Sequence, residues 1–544
     1  MSGTVRKNVL IALIIAAIFF VAYAFLPLTA PHISASPDEN ANWYFAKLFA
    51  ATGELRHEDA LNAVAPGLIH PRSMRVVGTF LVPGGFLGLP VLYGTIAAFF
   101  GTNVLPYLTP LVALLGVAAW GLLVAHFFGR KIGFIAALLL AAHPVWWYET
   151  SRILAPNVLF ASLTMIAAWL LLVEPIKTKS RLLQQLNAPI AGIFAGLALA
   201  VRTSEAYWLV VIDAILLAFI FPRIPWKRAM TFIIFCILTF TPFLLLNKSV
   251  YGALLATGYS ATLELPGVAL SHGRGAALLG PLGKYLFPLG FAPRNALQHF
   301  MTYGVEFFWW WSVLVGAALV ALVSEMWRLR STKIRISRPA RIFAVTALVV
   351  SAWLILFYGS WNVQDNSDPR AVTIGTSYLR YWLPIFIFST VPVAWLVTRA
   401  AEVLSPLRRR AFLVIFALLF LLSAASDVFL SPQEGLFALR RTLFADEKIA
   451  ATVIAHTEVD ALIVVDRADK LLFPARRVIT PLRSDATYAA VAELVGHVPT
   501  YYFGITFPES DLRWLRETKL PSLGVTIDPV TTIGVQTLYR FTKQ

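Results

Sequence analysis

The chain has 544 residues, of which 58% are hydrophobic and 14% charged. Soluble domains are nearer half apolar and a quarter charged, so this composition excludes an ordinary water-soluble enzyme. The net charge of +16 lies in short clusters between apolar runs: Arg6-Lys7, Arg130-Lys131, Lys177 to Arg181, Arg223 to Arg228, Arg328 to Arg341 and Arg408 to Arg410. That is the cytoplasmic-loop bias of a polytopic membrane protein, not the mark of a nucleic-acid partner.

With Arg6-Lys7 inside, the first apolar stretch predicts an outgoing helix over 8–27. At nearly 20 residues it is longer than a signal-peptide core and reads as an uncleaved span. An external loop follows over 28–75. The next apolar stretch, Val76–Phe100, contains Pro83-Gly84-Gly85, Gly88 and Pro90, which suit a broken or interfacial helix. Read as a segment that only dips into the outer leaflet, it leaves every later basic cluster inside. Spans are then predicted at 104–126, 132–147, 156–173, 188–201, 206–221, 229–247, 303–326, 342–358, 377–398 and 411–430, eleven in all with the first. The external segments are 28–103, which includes the dipping stretch, and 248–302, with a shorter one at 359–376.

The last stretch differs in texture. Ala461–Val465, Arg477–Ile479 and Tyr501–Ile505 read as strands, and Glu434–His456 and Ala486–Val495 as helices. This alternation predicts a small α/β domain over 431–544, outside the cytoplasm, behind a transmembrane domain over 1–430. The lone Cys236 excludes an internal disulfide.

Asp38 and Glu39, in Ser36-Pro37-Asp38-Glu39-Asn40, lie on the first external loop. A carboxylate there can take the proton from an attacking hydroxyl. The competing use is capping of the helix that Pro37 opens, where acids are favoured. Arg72, Arg75, Arg202, Lys284, Arg294 and Arg380 are cations on the external side, against the inside bias. Phosphate binding would explain them, as would lipid headgroups or loop acids such as Asp365 and Asp368. Glu149, Arg152 and Asn157, between the third and fourth spans, are candidates to seat an acceptor, or form an ordinary turn ahead of Pro156. Trp309-Trp310-Trp311 reads as an interfacial aromatic belt. His143, His272 and His299 have no metal-ligand spacing, which argues against a structural zinc site; no cofactor is expected, with a divalent metal left open but unsupported.

The order of these features resembles the GT-C glycosyltransferases of the protein-mannosyltransferase-like superfamily. It is nearest in pattern to the bacterial branch that includes the lipid A aminoarabinose transferase. The resemblance is sharp at Ser36–Lys47, Phe127–Asn157 and Tyr378–Pro384. It implies an inner-membrane enzyme that uses a polyprenyl-phosphate sugar and an extracytoplasmic acceptor. Asp38 matches the family's first-loop catalytic aspartate and Glu39 its second acid. Arg380 matches the basic residue of its R-Y-x-L-P stretch, and Arg202 a basic position after helix 5. Two departures stand out. Arg72 or Arg75 occupies the region where that branch has a Lys, and Asn157 stands near where many members have an acid, with Glu149 upstream. The implied chemistry is direct displacement at the anomeric carbon. A lipid-linked glycan transporter or flippase, with Asp213 in mid-span, and a non-catalytic partner in envelope polysaccharide assembly are the alternatives.

Overall fold

The structure is a computed structural model that describes residues 3–152, 154–173, 185–220, 225–259, 287–331, 337–363, 368, 371–482 and 484–544. The chain divides into two compact units. One comprises Met1–Leu26, Tyr107–Phe243 and Leu265–Ala438; the other Pro27–Pro106, Leu244–Glu264 and Leu439–Gln544.

The first unit is helical. Among the described residues of the whole chain, seven helices are long and apolar enough to cross a bilayer: Thr102–Phe128, Pro156–Val173, Trp226–Tyr251, Trp309–Arg328, Arg338–Gly359, Leu383–Glu402 and Pro406–Leu430. Two bent pairs, Arg130–Ala142 with Pro144–Ser151 at 52° and Asn187–Val201 with Thr203–Ile212 at 112°, raise the count to nine if each is one span. Each break has a local cause. Pro144 cannot continue the preceding helix, and the His143 ring accepts from the Val145 amide to cap the new one. Arg202 leaves helical space at φ −146°, ψ 83°. The segments read from sequence as spans at 188–201 and 206–221 are therefore joined by a sharp turn at Arg202. The Gly3–Tyr23 helix supplies a further apolar segment.

Small residues let these helices approach backbone to backbone, which is how helices associate without a hydrophobic drive in lipid. A Cβ on Gly116 would lie 2.6 Å from the Ser162 hydroxyl, and one on Gly196 2.6 Å from the Cys236 carbonyl. Large apolar side chains such as Leu13, Leu238 and Leu422 point outward, about three-fifths exposed or more. That exposure suits acyl chains, not water.

The second unit is assembled from three stretches of chain. Strands β1 (His57–Glu58), β2 (Met74–Val77) and β3 (Phe80–Pro83) form a small antiparallel sheet in the order β1-β3-β2. The stretch read from sequence as one interfacial segment over 76–100 is thus a hairpin followed by a 13-residue helix, Gly88–Phe100. Gly78, at φ 65°, makes the hairpin turn. The helix packs on Pro37–Thr52, where Gly94 would bring a Cβ within 2.7 Å of the Ala46 carbonyl.

The larger sheet contains β4 (Leu462–Val465), β5 (Arg477–Ile479), β6 (Thr500–Ile505), β7 (Val525–Ile533) and β8 (Gln536–Lys543), in the order β5-β4-β6-β8-β7. β4 runs parallel to β5 and β6; β6, β8 and β7 are antiparallel. Leu462, Val464 and Ile479 bury one face with Val491 and Leu494 of the Asp485–Leu494 helix. Ile463, Val465 and Phe503 bury the other with Ala450 and Val453 of Leu436–Ala455. Ala65 and Ile69 of the first loop enter the former core, and Ile69 forms a backbone bridge to Ile479. Pro27–Pro106 and Leu244–Glu264 share one compact unit with Leu439–Gln544, most of the α/β domain read over 431–544.

Candidate active site

In the second unit the site begins at a helix cap. Ser36 is extended, Pro37 starts the helix, and the Ser36 hydroxyl accepts from the Glu39 amide at 3.3 Å. The Glu39 carboxylate turns back to accept from the Ala35 amide at 2.8 Å, and Glu39 is buried. This is close to a reciprocal capping box, so Glu39 has a structural use. Asp38 is partly exposed, and its Oδ1 accepts from the Ser73 hydroxyl at 2.6 Å. Ser73 is itself pinned. Its φ is 60°, its carbonyl accepts from the Gly84 amide, and a Cβ on Gly84 would strike its carbonyl carbon at 2.6 Å. The hairpin of β2 and β3 thus aims one hydroxyl at one carboxylate.

Arg75 lies on β2, two residues beyond Ser73. Burial pushes its guanidinium below the usual arginine range, partly offset by Tyr251 and Tyr259. It stays cationic at any physiological pH, since arginine starts so high. Arg72 serves differently. Its Nε and Nη2 grip Oδ1 of the fully buried Asp469 at 2.9 and 2.6 Å, and its backbone amide takes Oδ2. The next residue, Lys470, donates to the Ala35 carbonyl at 2.7 Å. Asp469 and Lys470 thereby hold the segments that carry Ser73 and Asp38.

In the first unit a second cluster gathers at the Arg202 turn. Arg202 is buried, and its Nε and Nη2 lie 2.9 and 2.8 Å from Glu205 Oε1. Its Nη1 donates to Asn157 Oδ1 at 3.0 Å and its Nη2 to the Tyr358 hydroxyl at 3.3 Å. Glu205 also accepts from the Tyr358 hydroxyl and the Trp208 indole, each at 2.5 Å. Asn157 donates through Nδ2 to the Arg380 carbonyl at 2.8 Å, and Arg380 Nη2 donates to the Ser377 hydroxyl at 2.7 Å. The guanidinium carbons of Arg202 and Arg380 each lie 5.3 Å from the Tyr381 ring centre, and Tyr358 stacks on that ring at 4.4 Å. A buried arginine costs heavily unless paired; here Glu205 supplies the charge, and the Tyr358 hydroxyl and the Asn157 amide oxygen supply further acceptors.

Of the residues singled out in the sequence, the structure therefore joins Arg202, Asn157 and Arg380 in one network and gives Asp38 the Ser73 hydroxyl. Glu149 is buried in the Pro144–Ser151 helix, and Arg152 caps its C-terminus. Arg294 is exposed at the start of a short helix, Pro293–His299. Lys284 and Asp365 lie outside the described residues, as does the side chain of Asp213. Sequence reasoning missed Ser73, Asp469, Lys470, Tyr358 and Tyr381. Glu205 was visible three residues from Arg202, an ion-pair spacing, but was given no role. Among the described residues, no group of three His, Cys, Asp or Glu side chains is placed to hold a metal.

No family model and no curated protein matches the chain. Solved structures do. ArnT from Cupriavidus metallidurans bound to undecaprenyl phosphate aligns with a TM-score of 0.57 at 13% identity, covering 99% of this chain and 98% of that one. The oligosaccharyltransferase of Archaeoglobus fulgidus, tethered to an acceptor peptide, aligns at 0.52 and 13% identity, covering 94% of this chain and 71% of that one. The fold is that of the GT-C glycosyltransferases. Two proteins with the GT-C fold thus align over nearly this entire chain, the tail sheet included in the first. At 13% identity the likeness is one of architecture, and the residues must carry the chemistry by themselves.

Proposed function

We propose that the protein is a membrane glycosyltransferase that moves a sugar from a polyprenyl-phosphate donor to an extracytoplasmic acceptor. The observation that carries this reading is the Asp38 carboxylate, held by the Ser73 hydroxyl at the first turn of its helix, in a chain with the GT-C fold. ArnT, bound to undecaprenyl phosphate in its solved structure, supports a lipid-phosphate donor. In this reading the N-terminus is cytoplasmic, the chain crosses the inner membrane eleven times, and the sheet-bearing unit is extracytoplasmic. The basic clusters between spans support that orientation.

The step is a single displacement. Asp38 takes the proton of the acceptor hydroxyl, whose oxygen forms the new bond to the anomeric carbon. The bond from that carbon to the phosphate oxygen breaks, and polyprenyl phosphate departs with the electron pair. Configuration inverts. Negative charge grows on the leaving phosphate, so fixed cations lower the barrier. Arg380 is the proposed principal contact, with Arg202 held in place by Glu205. Arg75, Arg294 and Lys284 are further candidate cations. Glu149 and Arg152 are candidates for acceptor binding; Asn157 positions Arg202. Arg72, occupied by Asp469, and Glu39, occupied by the cap, support the frame that presents Asp38. The transferred sugar, hexose or pentose, is identified by the polyprenyl-phosphate species that accumulates when the gene is deleted.

The test is Asp38→Asn in membranes supplied with that donor. The amide keeps the shape and the Ser73 contact but cannot take a proton. Transfer should fall by about 10² to 10⁴-fold. Transfer within a few fold of wild type at equal expression rejects Asp38 as the base.

A further inference from the structure

Four helices of the first unit, Gly3–Tyr23, Arg130–Ala142, Leu383–Glu402 and Pro406–Leu430, enclose a crevice of about 630 Å³. Its walls are apolar, with Ile15, Ile18, Phe134, Leu138, Leu413 and Phe416 among them. One end is charged. Lys131 pairs with Glu402 at 3.0 Å, and Arg399 lies 3.8 Å from the same carboxylate. Arg409 lines the crevice while its Nε and Nη2 donate to the carbonyls of Ala401 and Leu404. Three cations therefore stand around one carboxylate. Two helices also begin here, at Arg130 and Pro406, and their unsatisfied amides add positive potential.

The other end closes at Ala22, Ala142 and Trp147. From Lys131 to Ala142 the wall helix advances about 16 Å at 1.5 Å per residue. That is roughly half of a ~30 Å hydrocarbon core, the depth of one leaflet. The crevice thus has the dimensions of a lipid tail, with surplus positive charge where a headgroup would lie. Basic pockets between membrane helices select anionic headgroups for this reason.

We infer that this crevice binds one acyl chain of an anionic glycerophospholipid, with its phosphate beside Lys131 and Arg409. A zwitterionic headgroup would bring a cation into an already cationic mouth. The inference is independent of the proposed glycosyl transfer, since none of these residues belongs to that machinery.

The experiment uses the full chain, delipidated in a neutral detergent and titrated by native mass spectrometry. The probes are phosphatidylglycerol, phosphatidylcholine with the same chains, and undecaprenyl phosphate. Phosphatidylglycerol should bind at least about tenfold more tightly than phosphatidylcholine. Lys131→Ala, at an exposed position, should weaken it about fivefold, the effect of one basic residue near a lipid headgroup. Ala417→Trp, which fills the crevice, should abolish the tight site. Equal binding of the two phospholipids overturns the inference. So does phosphatidylglycerol binding that ignores Lys131→Ala, whatever the folding of Ala417→Trp. Displacement of bound phosphatidylglycerol by undecaprenyl phosphate at equal concentration would make the crevice a carrier-lipid site and overturn it too.

Discussion

At Asp38 the carboxylate accepts from the Ser73 hydroxyl at 2.6 Å. The hydrogen bond from Ser73 is short and goes to a group that carries charge, the kind worth about 1.5–3 kcal/mol. If Asp38 is the base, Ser73→Ala should lower kcat by about ten- to a hundredfold while KM changes little, because the lost contact orients the base and does not bind substrate. Ser73→Gly tolerates the φ of 60° better but lacks the hydroxyl, so it should match the alanine variant. Recovery of activity in the glycine variant would show that backbone strain, not the hydroxyl, was responsible. Glu205 presents the opposite case, a buried acid whose service is to a buried arginine. Glu205→Gln removes the ion-pair partner seen 2.8 Å from the buried Arg202, and a broken buried pair costs about 3–5 kcal/mol. Thermal unfolding in detergent should show it as a marked loss, and the double replacement of Arg202 and Glu205 by methionine should be less destabilised than the single variant. Asp38, Arg202 and Arg380 could be singled out in the sequence because charges are scarce in an apolar chain. Ser73 could not, since one serine in a loop carries no signal until its backbone is known.

At the scale of elements, the length of apolar runs located most helices and failed where two structures share one composition. Val76–Phe100 is apolar enough to read as one segment, yet Gly78 turns the chain within it and Pro83-Gly84-Gly85 ends the second strand. A four-residue strand and a helical turn look alike when both are buried. The β7–β8 hairpin escaped because Pro529 interrupts β7. Proline is tolerated there since β7 is an edge strand whose register shifts between Pro529 and Thr531. The turn at Arg202 escaped because hydropathy reports length, not direction. The hairpin makes its own prediction. Gly84→Ala should displace Ser73, because the added methyl meets backbone atoms that have no rotamer to adopt. A loss of transfer equal to that of Ser73→Ala, with the fold retained by circular dichroism, is the expected result; full activity would show that the hairpin does not position Asp38.

At the scale of the molecule, the tail sheet and the first loop are one unit, held by contacts nearly 400 residues apart or more. Arg72 grips Asp469, Arg477 pairs with Asp59 at 2.9 Å, and Ile69 bridges to Ile479. No local pattern in the sequence announces such pairings. This unit should respond to acid through His70. Burial is the main cause that holds its imidazole below the usual histidine range, with Arg75 adding to it; Asp469 and the Pro71 carbonyl oppose it. The folded state therefore takes up the His70 proton less readily than the unfolded chain, whose histidine titrates near about 6.5. Above that value both states are neutral and the full stability is present. As the pH falls below it, the unfolded state binds the proton first, and stability is lost until the folded-state value is reached. Thermal unfolding followed in the tail unit should thus decline from about pH 6.5 downward, and His70→Gln should flatten that decline without changing stability greatly at pH 8. An unchanged slope in the variant would show that His70 does not carry the acid sensitivity of this unit.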